Sequence, residues 1–240
     1  MHAGKCADVL PVAILCGGKG TRIAAIAGDA PKALVPVAGT PFLAHQLRWL
    51  RDAGATDVVL LTGYRGDRIR AFAGDGGAFG VRVAYSDDGE QPRGTGGAVV
   101  RALPLLGDAF LTVYGDALLT ADPACVARAL VKPYDGVMTV FPNADRWLPS
   151  NVRVDGERVA AYDKDAPRGT MTHIDYGINA FRASAFAGAP AERAFDVADV
   201  HRALIARGAL RAVPVAERWY EIGTPEGLND TEGFLRAREA

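Results

Sequence analysis

The sequence predicts an α/β fold with a mixed, mainly parallel sheet flanked by helices, and three observations predict it. Short runs rich in Val, Ile and Leu alternate with stretches of helical periodicity along most of the chain. Those runs are too continuously apolar for a sheet with one wet face, so both faces are expected to be buried. A glycine cluster, LCGGKGTRI at 15–23, follows the first run directly. Parallel α/β sheets bind their ligands at such places, beyond the C-terminal ends of the strands.

Taken in order, residues 12–16 read as a strand leaving the core. Phe42, Leu43, Leu47 and Leu50 then recur at helical spacing, and Ala53-Gly54 supplies the stop. Further strands are expected at 57–62, 81–85, 110–114, 136–141 and 210–215, with helices near 66–73, 96–103, 122–131 and 196–207. The segment 151–181 breaks the rhythm. Runs at 151–154 and 158–162 flank the turn signal Asp155-Gly156, and 176–181 offers another strand after the loop 163–172. A small antiparallel layer over the sheet edge is expected there. Thr224 and Pro225 make a helix start, threonine as N-cap and proline in the first helical position. The whole chain, 1–240, reads as one domain.

The glycine cluster carries chemistry. Gly17, Gly18 and Gly20 allow a tight turn with backbone N–H groups open to an anion, and Arg22 and Lys32 add fixed positive charge. This describes a site for the phosphates of a nucleotide. The spacing is not the dinucleotide G-x-G-x-x-G, because Ile23 stands at the third glycine, and it lacks the Gly-Lys-Ser/Thr of a Walker loop.

Gly17-Gly18-Lys19-Gly20-Thr21-Arg22, followed by Pro31-Lys32-Ala33-Leu34-Val35-Pro36, resembles the signature of the sugar-1-phosphate nucleotidyltransferases. Among these the chain is most similar to the D-glycero-α-D-manno-heptose 1-phosphate guanylyltransferases, through GTGGAV, YGD, NVRV, YDK, IDYG and EIGTPEGL in the same order. The resemblance runs from about residue 10 to about residue 230 and implies a Rossmann-like nucleotide-diphospho-sugar transferase fold whose antiparallel layer binds the sugar. It implies transfer of a nucleoside monophosphate from GTP, or another NTP, to a sugar 1-phosphate, for surface polysaccharide precursors.

The same resemblance assigns roles. Arg22 is expected on the β- and γ-phosphates and Lys32 on the α-phosphate, where charge develops. Leu15, Gly17, Gly18, Gly20, Thr21, Glu90, Gly94 and Thr95 are expected to bind the nucleotide, with Thr95 serving equally well as a helix cap. Asp88, Glu90 and Gln91 are the candidates for reading the base, and the sequence does not choose among them. Asn151, Lys164, Asp175 and Asn179 are expected at the sugar phosphate. Mg²⁺ is the expected cofactor, with Asp116 as one ligand and Glu221 as the other. Related families usually carry aspartate at the second position, so Glu221 reaches the metal directly or through water, or stands on the surface. The attacking phosphate is already ionised near neutrality, so one in-line displacement without a general base is expected.

Composition excludes other classes. The net charge of −1 gives no basic excess for nucleic acid or an anionic membrane. No apolar run suits a signal peptide or a membrane span, so a cytoplasmic protein is expected, and the short chain after Glu221 is expected to carry no second catalytic domain. Cys6, Cys16 and Cys125 lack disulfide or zinc spacing, and Cys16 reads as a small buried residue. His45 and His201 read as helix-face residues and His173 as a neighbour of the sugar. A homodimer is compatible with all of this. The alternatives are a mannose- or glucose-1-phosphate enzyme using GTP, dTTP, UTP or CTP, and a non-catalytic nucleotide-sugar sensor.

Overall fold

The computed structural model describes residues 9–239 apart from 19, 90, 191 and 192. Cys6 and Glu90 therefore lie outside the described residues. Among the described residues thirteen strands and seven α-helices follow in chain order. They are β1 (Val12–Leu15), α1 (Ala24–Ala27), β2 (Pro36–Val37), β3 (Thr40–Pro41), α2 (Phe42–Asp52), β4 (Asp57–Thr62) and α3 (Gly66–Ala73). Next come β5 (Arg82–Asp87), α4 (Gly94–Leu106), β6 (Ala109–Tyr114), β7 (Ala117–Leu118), α5 (Pro123–Arg128) and β8 (Gly136–Pro142). The chain continues through β9 (Val152–Asp155), β10 (Arg158–Tyr162), β11 (His173–Arg182), α6 (Val197–Ala206), β12 (Leu210–Pro214), β13 (Tyr220–Glu221) and α7 (Pro225–Glu239).

Nine strands form one sheet in the order β5-β4-β1-β6-β11-β8-β12-β10-β9. The first four run parallel, so the ends of β1, β4, β5 and β6 open onto the same edge. This places the glycine loop, Gly63, Asp88 and Asp116 side by side although they are far apart in sequence. Strand periodicity divides the core as expected for a sheet buried on both faces. Val12 and Ile14 of β1 pack with Leu43, Leu47 and Leu50 of α2 and Ile69 of α3, whereas Ala13 faces Val99 and Ala102 of α4 and Leu204 of α6. A third cluster, with Ile23, Val37, Phe42, Ile222 and Leu228, ties the glycine loop to β13 and α7.

The antiparallel part reaches further than a layer over the edge. β11 is ten residues long and lies inside the sheet, antiparallel to both β6 and β8. Its two faces explain why: Ile174, Tyr176, Ile178 and Ala180 join one core and Phe181 the other. The β9–β10 hairpin continues the same sheet beyond β12, and Val152 curls back to pair with His173 of β11. Among the described residues no helix is long and apolar enough to cross a membrane.

Candidate active site

The glycine loop leaves β1 through Cys16, whose N–H donates to Leu61 O at 3.1 Å. Its buried thiol donates to the same carbonyl at 3.3 Å, and burial pushes it up to about 12, which leaves Cys16 a packing residue. Gly17 O accepts from Tyr64 N at 3.1 Å, and Gly20 adopts φ +63° to start the 3₁₀ turn Thr21–Ile23. The loop forms one wall of a cleft of about 390 Å³, and α4 forms the other. Leu15, Gly17, Gly18, Gly20, Thr21, Gly94 and Thr95 all line it.

The glycines of GTGG have a packing role that the sequence does not disclose. A Cβ on Gly94 would lie 2.4 Å from Phe195 O, and one on Gly96 would lie 2.3 Å from the Phe195 ring. They let α4 seat against the segment before α6, with Gly96 N donating to Phe195 O at 3.0 Å. Thr95 caps α6 rather than its own helix, its hydroxyl accepting from Val197 N at 2.9 Å.

Charged groups gather where the cleft meets a smaller recess of about 140 Å³, and Arg22, Tyr114 and Asp116 line both. Lys32 Nζ donates to Asp116 Oδ2 at 2.6 Å, with side-chain exposures of 14% and 34%. The place a Cβ on Gly223 would occupy is 2.6 Å from Glu221 Oε2, 2.9 Å from Lys32 Nζ and 3.4 Å from Arg22 Nη2, so both cations and a carboxylate converge on one spot. Pairing of β13 with β7 brings this about: Glu221 stands opposite Ala117, and Ile222 N donates to Asp116 O at 3.0 Å. Glu221 accepts from Gly223 N and, at 2.6 Å, from the Thr224 hydroxyl. Thr224 in turn accepts from Gly227 N at 3.0 Å, so the expected N-cap of α7 also orients Glu221.

Mg²⁺ in a phosphate site takes one or two carboxylates and completes its shell with phosphate oxygens and water. Asp116 and Glu221 supply that number on one recess wall. No group of three His, Cys, Asp or Glu suited to a metal occurs among the described residues. The donor set fits Mg²⁺ shared with a triphosphate, and does not fit an ion held by protein alone.

Of the residues expected at the sugar phosphate, only Asp175 lines the recess. Its carboxylate accepts from Tyr114 OH at 2.9 Å, Asn179 Nδ2 at 3.2 Å and Gly177 N at 3.1 Å. Burial nonetheless pushes Asp175 above the usual carboxylate range. Asn179 is fully enclosed mid-sheet, its Oδ1 accepting from Thr139 N at 3.2 Å, and Asn151 Oδ1 accepts from Asp175 N at 2.9 Å. Both stand behind Asp175. Lys164 is half-exposed, pairs with Asp196 at 2.9 Å and is not on the recess wall, although its charge still acts on Asp175. His173 bonds Thr172 Oγ at 2.8 Å and is likewise not on the recess wall. Leu148 and Trp219, which the motifs do not mark, and Tyr176 of IDYG also line the wall.

Asp88 lines the cleft beside Gly17 and Gly63, and Gln91 is exposed and does not line it. Burial raises the Asp88 pKa, partly offset by Arg93 N donating to its Oδ2 at 3.4 Å.

A parallel-centred sheet with helices on both faces and a glycine-rich loop at its C-terminal edge matches the nucleotide-sugar transferase fold. HddC from Yersinia pseudotuberculosis shares the architecture with a TM-score of 0.80 over 94% of this chain and 99% of that one, at 21% identity. Residues 12–213 match the family described as the MobA-like NTP transferase domain, and the chain belongs to that family. A mannose-1-phosphate guanylyltransferase of Mycobacterium tuberculosis is 32% identical over 89% of this chain, which spans 61% of that protein. An N-acetylmuramate α-1-phosphate uridylyltransferase of Neisseria meningitidis is 28% identical over 93% of this chain and 97% of its own length. A D-glycero-α-D-manno-heptose 1-phosphate guanylyltransferase of Campylobacter jejuni is 34% identical over 45% of this chain and 48% of its own.

Proposed function

We propose that this chain transfers GMP from GTP to a sugar 1-phosphate, D-glycero-α-D-manno-heptose 1-phosphate, releasing pyrophosphate. The observation that carries the reading is the convergence of Lys32, Arg22 and Glu221 on Gly223, beside Asp116, at the junction of a larger and a smaller cavity. Two anions brought together need positive charge at the point where they meet, and that is where the cations stand.

The triphosphate lies along the glycine loop, and the sugar phosphate enters through the smaller recess. An oxygen of the sugar phosphate forms a bond to the α-phosphorus as the bond to the β-bridging oxygen breaks, and the electron pair leaves with pyrophosphate. Lys32 stabilises the charge growing at the α-phosphate, and Arg22 follows the β- and γ-phosphates as they depart. Asp116 and Glu221 would hold Mg²⁺, which when bound neutralises part of the triphosphate charge. Asp88 accepts from guanine N1–H and the 2-amino group, a pair of donors that uracil and thymine lack. Asp175, held by Tyr114 and Asn179, meets sugar hydroxyls.

Guanine is supported by motif order and by the two guanylyltransferase relatives, and heptose by motif order and by one of them, whereas another relative is a uridylyltransferase. A pyrophosphate-release matrix tests this, pairing four NTPs with heptose, mannose, glucose and N-acetylmuramate 1-phosphates. GTP with heptose 1-phosphate is expected to give the highest kcat/KM. UTP with N-acetylmuramate 1-phosphate as the best pair would defeat the substrate assignment. A blank matrix with tight nucleotide-sugar binding would show a sensor.

A further inference from the structure

We infer that Gln46 is the positioning residue for Asp116, an inference that rests on the transfer reading above. Gln46 stands on α2 in the stripe formed by Phe42, Leu43, Leu47 and Leu50, and it is 1% exposed. Its Nε2 donates to Tyr114 O at 2.9 Å and to Ala117 O at 2.8 Å. These are the two carbonyls that flank Gly115-Asp116, so one amide clamps both ends of the turn that carries the carboxylate.

Only the NH₂ end of the side chain can meet two carbonyl acceptors, which fixes the amide's orientation. Its Oε1 has no hydrogen-bond partner. A buried, half-satisfied amide is costly where its stripe neighbours are all apolar, and packing alone would favour leucine or methionine. What the amide contributes is the position of the turn. Asp116 is then held from three directions: Gln46 on the flanking carbonyls, Ile222 N on its own carbonyl at 3.0 Å, and Lys32 on its carboxylate. Among the described residues no other side chain of α2 hydrogen-bonds to this turn. The buried His45 beside it bonds Val37 O instead, at 3.0 Å.

Gln46→Met keeps the volume and removes both donors, and Gln46→Glu keeps the shape. As a protonated acid the glutamate donates once to the turn, and as a carboxylate it repels both carbonyls. With the best pair from the matrix, Gln46→Met is expected to lose about 10–100-fold in kcat, the range for removing the group that orients a metal-binding carboxylate, with sugar 1-phosphate KM within about twofold of wild type. Gln46→Glu should recover activity relative to wild type as pH falls, and Gln46→Met should not. Hydrogen exchange of amides 115–118 should accelerate by about tenfold in Gln46→Met, with β4 unchanged. Unchanged exchange at the turn overturns the inference, and so does faster exchange with wild-type kcat. Should the wild-type chain release no pyrophosphate with any pair, the transfer reading fails by itself, and exchange at the turn alone decides whether Gln46 holds it.

Discussion

Acid should destabilise this protein through one histidine. His201 on α6 is fully buried, stacked on Phe181 at 5.3 Å and edge-on to Tyr162 at 5.2 Å, and neither ring nitrogen has a hydrogen-bond partner. Burial, helped by the charge of Lys164 and opposed by Asp196, lowers its pKa to about 3. An unfolded histidine titrates near ~6.5. Between those values the unfolded chain binds a proton that the folded chain refuses, so stability falls as pH falls through the window. At about pH 5 the loss relative to pH 8 is roughly 1.4 kcal/mol for each of about 1.5 pH units below 6.5, or about 2 kcal/mol. Any folded value well below 5 gives the same figure, because only the unfolded state titrates above it. Domains are stable by about 5–15 kcal/mol, so the loss is measurable. Urea unfolding of wild type and His201→Leu at both pH values isolates it, since the carboxylates titrate alike in the two proteins. Wild type should lose about 2 kcal/mol more than the variant on acidification. Equal losses, within about 0.5 kcal/mol, would refute a neutral buried imidazole.

Lys32→Ala and Arg22→Ala should each lower kcat/KM by about 10²–10⁴-fold in the pyrophosphate-release assay, the range for deleting a preorganised charge that faces the transition state. Asp88→Asn should raise GTP KM by about 10–100-fold, the worth of a hydrogen bond to a charged group. Because burial raises the Asp88 pKa, wild-type GTP KM should begin to climb on acidification at a higher pH than an ordinary carboxylate would set. The Asp88→Asn profile should stay flat there, and parallel profiles would remove Asp88 from base recognition. Gly94→Ala combines a backbone at φ +69° with a Cβ 2.4 Å from Phe195 O. It should cost about 1–3 kcal/mol or more in thermal unfolding, and an unchanged Tm would show that α4 can shift away.

The strand and helix alternation, the glycine loop and the Thr224-Pro225 helix start were legible because each is local: period, glycine placement and capping are written within a few residues. Leu15, Gly17, Gly18, Gly20, Thr21, Gly94 and Thr95 were grouped by motif, and the fold brings them to the lining of one cleft. The sugar side was less legible. Residues 176–181 read as a strand, but the place of β11 between β6 and β8 is set by partners about 30–70 residues away. That place encloses Asn179 and leaves Asp175 on the recess wall. Lys164 is drawn to Asp196 for the same reason, the two being neighbours only after folding. Gln46 left a trace in the sequence, a polar residue inside an apolar helical stripe, but its target lies 68 residues on, at Tyr114. By itself, then, the sequence determined the main elements, though not the two-residue strands β2, β3, β7 and β13, together with the loop and the identity of the charged groups. Which of those groups face one another was decided by the register of β13 on β7 and of β11 on β6, because side-chain direction alternates along a strand and only pairing between distant segments sets which wall each residue joins.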